Sequence, residues 1–228
     1  MEPRLRSINV GHPKERDWAG IGRTSIDKRP VEGAVIARTL GLDGDQVSDT
    51  KHHGGIDQAV YVFAREDLDW WERELRLDDG ALRDGQFGEN LTTEGIDVNE
   101  ALIGEHWAIG SALFEVASIR IPCNDFKSWQ RVSGFDDRRW VKRFTAVGRP
   151  GPYLRVLEEG EIEAGQRIEV VDRPDHDVTV SVMFAALTTR REWLPRLLDV
   201  PAMPDEARED AERYVAQKAG ENSQSVDR

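Results

Sequence analysis

The chain of 228 residues contains a single cysteine, Cys123. One thiol excludes an internal disulfide framework of the kind secreted domains use. Zinc is disfavoured as well, because a structural zinc site needs four Cys or His ligands at close spacing and no such set occurs. No apolar run approaches the roughly 18 residues that a membrane-spanning helix requires. The start, Met1-Glu2-Pro3-Arg4-Leu5-Arg6, has neither the apolar core nor the small-residue cleavage site of a secretory signal, so a cytoplasmic location is expected. Basic residues are also in short supply: 31 Lys and Arg against 43 Asp and Glu leave a net charge of -12. Binding to nucleic acid or to an anionic membrane is therefore not expected, since both need clustered cations. Phosphate-loop and dinucleotide fingerprints are missing, and Gly41-Leu42-Asp43-Gly44-Asp45 has the wrong spacing for either. There is no nucleophile elbow and no flavin, haem or iron–sulfur motif.

What is present suffices for a folded core. Hydrophobic residues make up 39% of the chain, with seven Trp and seven Phe, and the 32% charged fraction suits a water-soluble surface. The first three-quarters reads mainly as strands and turns. Leu5 to Val10 alternates apolar and polar residues, as does a half-buried strand. Thr24 to Lys28, Gly33 to Ala37, Ala59 to Phe63, Glu105 to Ile109, Ala112 to Ala117, Tyr153 to Leu157 and Gln166 to Val171 are further strand-like runs bounded by turn residues. The period changes between Arg65 and Leu77, where Leu68, Trp71 and Leu75 recur at helical spacing behind an acidic start. Trp129 to Phe144 predicts a second helical stretch interrupted at Gly134. After Asp172 the composition shifts. Three helices are expected at Ser181 to Leu187, Glu192 to Leu198 and Asp205 to about Ala219, with Gly220 as a stop and a disordered tail from Glu221 to Arg228. The division is a mainly β segment over residues 1–172 and a small three-helix segment over residues 173–228.

Polar residues at the ends of the β-type runs converge on Cys123. Arg120 stands two residues ahead of it, and a nearby guanidinium favours thiolate, the form that ligates metals or attacks electrophiles. A buried, inert thiol is the competing reading. His52 and His53 precede Gly54-Gly55; on extended backbone the two imidazoles point apart, so at most one faces a site. The glycine pair lets backbone amides approach a ligand, and Asp57 could orient an imidazole or accept from a heterocycle. Phe87-Gly88-Glu89-Asn90-Leu91-Thr92-Thr93 is a tight turn entering a strand, with amide and hydroxyl groups suited to a polar ring. From Arg120 to Arg149, eight basic residues face three acidic ones, a balance of +5 in an acidic chain. That stretch reads either as a helix face with internal ion pairs or as an electropositive rim for an acidic partner or phosphorylated ligand.

These motifs in this order resemble the MOSC family, named for the C-terminal domain of molybdenum cofactor sulfurase. The matching stretches are Thr24 to Val31, Gly41 to Asp45, His53 to Val60, Phe87 to Leu91, Ile103-Gly104 and Arg120 to Cys123, within residues 5–171. The helical remainder is similar to the appended three-helix segment of the bacterial branch that detoxifies N-hydroxylated bases. The resemblance implies a β-barrel-like domain that holds the molybdenum cofactor (Mo-molybdopterin) in a cleft. It implies Cys123 as the protein ligand to molybdenum, a role suited to a soft thiolate. It further implies Thr24, Lys28 and Arg120 around the pterin phosphate, and His53, Asn90 and Thr92 near the heterocycle or behind the metal. The implied activity is reduction of a small N-hydroxylated substrate, with His53 or a water delivering the proton. In the absence of an electron-carrying motif, a separate flavoprotein would supply the electrons. A cofactor carrier using the same cysteine is the alternative, with persulfide handling behind it; a homodimer stays open.

Overall fold

The computed structural model describes residues 2–51 and 53–226. Among the described residues, thirteen strands, many of them short, and five α-helices follow one another along the chain. The strands are β1 (Arg4–Val10), β2 (Lys14–Glu15), β3 (Arg23–Thr24), β4 (Arg29–Val31), β5 (Val35–Arg38), β6 (Gly41–Leu42), β7 (Val60–Ala64), β8 (Leu91–Glu94), β9 (His106–Ile109), β10 (Ala112–Ile119), β11 (Pro152–Glu158), β12 (Gly160–Ile162) and β13 (Ile168–Asp172). The helices are α1 (Arg65–Leu75), α2 (Asn124–Val132), α3 (Trp140–Val147), α4 (Val180–Thr188) and α5 (Asp205–Val226), with a 3-10 helix at Arg191–Asp199 ahead of the last. The expected mainly β architecture with added helices is what the chain forms. No helix among the described residues is long and apolar enough to cross a membrane.

Eight strands form one sheet in the order β13-β9-β10-β11-β7-β8-β1-β4, antiparallel except for the β7–β8 pair. That parallel pair is connected through helix α1, because parallel neighbours need a crossover. The sheet coils until β1 meets the segment ahead of β13. There Arg4 bridges Arg167, and backbone bonds run from Leu5 N to Gln166 O (2.8 Å) and from Ile168 N to Pro3 O (3.0 Å). The barrel expected from the resemblance is thus approached by coiling, with one isolated bridge in place of a continuous closing ladder. Its interior holds Leu5, Ile8, Val60, Val62, Leu91, Phe114, Val116 and Leu154, all shielded from solvent.

A second body of packing is aromatic. Trp71 of α1, Phe87, Phe126 of α2 and Trp140 and Phe144 of α3 lie ring against ring, with centroids 4.7 Å apart for Trp71–Trp140 and 5.2 Å for Phe87–Phe126. Offset and edge-on pairs of this kind each contribute about 0.5–1.5 kcal/mol beyond simple burial. The consequence is positional: α2 is clamped at its first turn through Phe126. Phe144 also touches Phe184 of α4, and Val180 N donates to Ala101 O, so the C-terminal helices share the buried cluster with the sheet.

The expected helix over Trp129 to Phe144 is two helices. Its break at Gly134 is present, with φ of 86°, but α2 begins five residues earlier, directly after Cys123. At the far end, α5 passes through Gly220, where the sequence suggested a stop. A helical glycine costs about 1 kcal/mol relative to alanine, yet a glycine stop works through a left-handed conformation, and Gly220 has no positive φ. Helix therefore occupies residues 221–226, which the sequence had suggested as disordered tail; residues 227 and 228 lie outside the described residues.

Candidate functional site

The cysteine sits where strand β10 hands over to helix α2. Ile119 ends the strand, Arg120 to Pro122 cross the gap, and Cys123 is the N-cap of α2, its Sγ accepting from Phe126 N at 3.5 Å. A thiol so placed faces the positive end of the helix and its unpaired N–H groups. Cys123 is half-buried and faces a cavity of about 300 Å³.

Six of the seven residues singled out from the sequence line this one cavity: Thr24, Lys28, His53, Asn90, Arg120 and Cys123. Thr92 does not reach it. Strand β8 turns that side chain inward, where its hydroxyl donates to Glu89 (3.0 Å) and accepts from the Asn9 amide (3.0 Å). Thr93, on the opposite face, is buried too, with its hydroxyl unpaired among the described residues. His52 lies outside the described residues. Asp57 is turned away: its carboxylate takes the Arg155 guanidinium, and the neighbouring Gln58 lines the cavity instead.

The electrostatics of the cavity centre on two buried cations. Lys28 is 8% exposed and grips Asp45, with Nζ to Oδ2 at 2.6 Å. Burial pushes the Lys28 ammonium below its ordinary range, and Asp45 pulls it back. Arg120, also 8% exposed, donates to the Phe87 carbonyl, and its guanidinium lies 3.9 Å from the Phe126 ring centre and 5.0 Å from that of Tyr61. No carboxylate pairs with Arg120 among the described residues. Burial lowers the guanidinium's proton affinity, but Tyr61, Tyr153 and Cys123 beside it more than compensate, so it stays charged. A buried cation lacking a counter-charge makes the cavity a seat for an anion.

Asn90 lines the cavity while bonding to the chain's own groups. Its side-chain oxygen accepts from Tyr61 N (3.1 Å), and its nitrogen donates to Asp45 (2.9 Å) and to Asn9 O (3.3 Å). It stitches β7 to β1 and fixes Asp45, which in turn holds Lys28. Behind this layer Glu89 is fully buried and accepts from Gly85 N (2.5 Å), Phe87 N (2.9 Å) and Thr92. Burial pushes its carboxyl up to about 7 against the pull of those donors. Gly88 holds φ at 80°, and a Cβ there would stand 3.0 Å from Ile26 Cγ1 and 3.7 Å from Arg120 Nη1. The sequence reading missed Asp45 and Glu89 as site residues, although both stand inside its quoted motifs. The partners of Asp45 lie 17 to 45 residues away, so no local pattern exposes it, whereas the donors to Glu89 lie within four residues of it.

The basic stretch from Arg120 to Arg149 is partly neutralised. Arg138 and Arg143 pair with Asp136, and Arg149 with Asp67 and Asp97. Lys127, Arg131, Arg139 and Lys142 have no ion pair among the described residues.

The arrangement defines a class: a coiled β-sheet protein with one thiol at a strand-to-helix junction, opening on a cavity floored by buried cations. Among the described residues, no group of three His, Cys, Asp or Glu could by itself hold a metal. Residues 49–169 match the MOSC domain family model. A Bacillus subtilis relative, the uncharacterized protein YflK, is 33% identical over 180 residues, covering 78% of this chain and 77% of that one. A protein of Gibberella moniliformis named reductase is 30% identical over 201 residues, 88% of this chain but 35% of its own length. Among solved structures, YiiM from Geobacillus stearothermophilus superposes with a TM-score of 0.75 at 24% identity, over 93% of this chain and 98% of that one, which shows a shared fold. The chain belongs to the MOSC domain family.

Proposed function

We propose that the protein is a molybdenum-cofactor-dependent reductase of N-hydroxylated compounds, of the hydroxylaminopurine type. The observation that carries this reading is Cys123, the only thiol, at the head of α2 and facing the cavity that Lys28 and Arg120 floor. The donor set suits a metal whose other ligands arrive with an anionic cofactor: one soft sulfur, no further metal-ligating cluster among the described residues, and an uncompensated buried guanidinium. When bound, that cofactor would supply two-electron redox chemistry. Cys123 would hold the metal, and Arg120, Lys28 and Thr24 would hold the anionic group. His53 lines the same cavity and is the side chain we assign to proton delivery. The name of the Gibberella moniliformis relative supports a reductive activity.

The balance of the reaction is simple. An N-hydroxyl compound takes up two electrons and two protons, the N–O bond breaks, and an amine and water leave. No flavin, haem or iron–sulfur motif is read in this sequence, and we assign the electrons to an acidic flavoprotein. Lys127, Arg131, Arg139 and Lys142 are the cations left for it to dock on, and its advantage should fade as salt rises. The test is turnover of 6-hydroxylaminopurine with a chemically reduced viologen by cofactor-loaded protein. One adenine formed per two electrons supports the reading. Loaded protein that reduces no N-hydroxylated compound refutes it and leaves a cofactor carrier.

A further inference from the structure

We propose that helix α5 completes the cavity and that Glu206, in its first turn, is a specificity-determining carboxylate selecting ligands that carry an amino or amidine-type group. Among the described residues of the C-terminal helices, Glu206 alone lines the cavity. It is exposed, so it stands at the mouth, whereas the cations Lys28 and Arg120 lie buried at depth. The other carboxylates of the cavity wall already have partners. Asp45 takes Lys28, Asn90 and Gly11 N; Asp125 takes Gly20 N at 3.0 Å; Asp49 takes Lys51 N at 3.2 Å. The Glu206 carboxylate has no hydrogen bond or ion pair with any described residue.

Its position is nevertheless fixed. Met203 and Pro204 just ahead of α5, and Ala207 and Ala211 within it, are buried. Arg208 donates to Val200 O at 2.7 Å, and Arg155 of β11 reaches Ala202 O at 3.2 Å. That second bond ties the approach to α5 to the strand that also places Tyr153 in the cavity wall. A helix held on both sides offers a preorganised acceptor, and an acceptor without a donor of its own accommodates one from a ligand. The wall also carries apolar and aromatic side chains, Ile119, Ile121, Tyr61 and Tyr153. The complementary ligand is a flat ring bearing an N–H-rich nitrogen group toward the mouth.

Which such ligand is turned over rests on the reductase reading; binding at Glu206 does not. The test compares benzamidine with its neutral counterpart benzamide by ligand-observed NMR on the full chain at low salt. Wild type should prefer benzamidine by about three- to fivefold, the scale of a carboxylate contact in reach of solvent. Glu206→Gln should abolish the preference, and Glu206→Asp should retain part of it. Glu209→Gln, one turn on and equal in charge change, should leave it intact. No preference in wild type, its persistence in Glu206→Gln, or an equal loss in Glu209→Gln overturns the proposal. A preference that depends on Glu206 in a protein that reduces nothing supports this inference while the reductase reading fails. Reduction of N-hydroxylated compounds with a preference indifferent to Glu206 has the opposite meaning.

Discussion

Replacing Asp45 by Asn tests the buried electrostatics of the site more sharply than any change to the cysteine. The substitution removes the counter-charge of Lys28, a cation 8% exposed, and it breaks one of two further bonds whichever way the amide is set. Asp45 Oδ1 accepts from Gly11 N at 2.7 Å and Oδ2 accepts from Asn90 Nδ2 at 2.9 Å, so an amide nitrogen in either position faces a donor. Asn90 cannot flip to relieve this, because its oxygen already serves Tyr61 N. Leaving one partner of a buried ion pair alone costs about 3–5 kcal/mol. For a chain of this size that corresponds to roughly 6–20 °C in Tm, at about 2–4 °C per kcal/mol. The loss should depend on pH. Burial holds the folded Lys28 below its ordinary pKa, and removing Asp45 lowers it further, so in that window the unfolded chain binds more protons than the folded one. Stability of the variant therefore rises with pH up to the ordinary lysine range, and its gap to wild type narrows. Urea unfolding followed by tryptophan fluorescence at pH 7 and pH 9.5 measures both effects. Adding Lys28→Met to Asp45→Asn should restore part of the stability by removing the stranded charge, without restoring an anion seat. A loss under about 1 kcal/mol, or a double variant weaker than the single one, would refute the desolvated pair.

Three other outcomes follow from the same geometry. Glu89 holds its proton in the folded chain between its ordinary 4.5 and about 7, so its contribution is full below the lower value and disappears as pH rises through the upper. The ceiling is about 3 kcal/mol at 1.36 kcal/mol per pKa unit, and Glu89→Gln should flatten the stability profile between pH 5 and 8; an unchanged slope would assign it elsewhere. Gly88→Ala puts a side chain at φ of 80° against Ile26 and should cost about 1–2 kcal/mol with weaker cofactor retention; an unaltered Tm contradicts the strain. Cys123→Ser should leave stability within about 1 kcal/mol of wild type, because serine caps helices well and the present N–H to sulfur contact is long; a large loss would mean that the thiol is structural.

Much of this architecture is legible along the chain because strands and helices declare themselves by local period. Leu5 to Val10 alternates and forms β1; Leu68, Trp71 and Leu75 keep helical spacing and form the packed face of α1. The start of α2 was not legible, since its cap is a cysteine, outside the usual capping residues, and the aromatic packing of Phe126 that clamps the first turn is long-range. That Thr24, Lys28, His53, Arg120 and Cys123 would share one cavity was implied by the family resemblance that motif order carries. Division of labour within it was not. Asn90 and Thr92 look alike as polar residues near a turn, yet one is engaged in joining strands at the cavity edge and the other lies beneath it. Only long-range pairing decides that, as it does for Asp45. The part played by Glu206 depends on how the last helix docks, which no spacing encodes.

The central claim is that Cys123 holds a molybdenum cofactor over the buried cations. Its most direct test is the molybdenum content and oxidised-pterin fluorescence of protein purified without oxygen from a cofactor-competent host, wild type beside Cys123→Ala. Near-stoichiometric metal and pterin in wild type, with little in the variant, is the predicted result. Equal loading of the two proteins, or none in either, would contradict it.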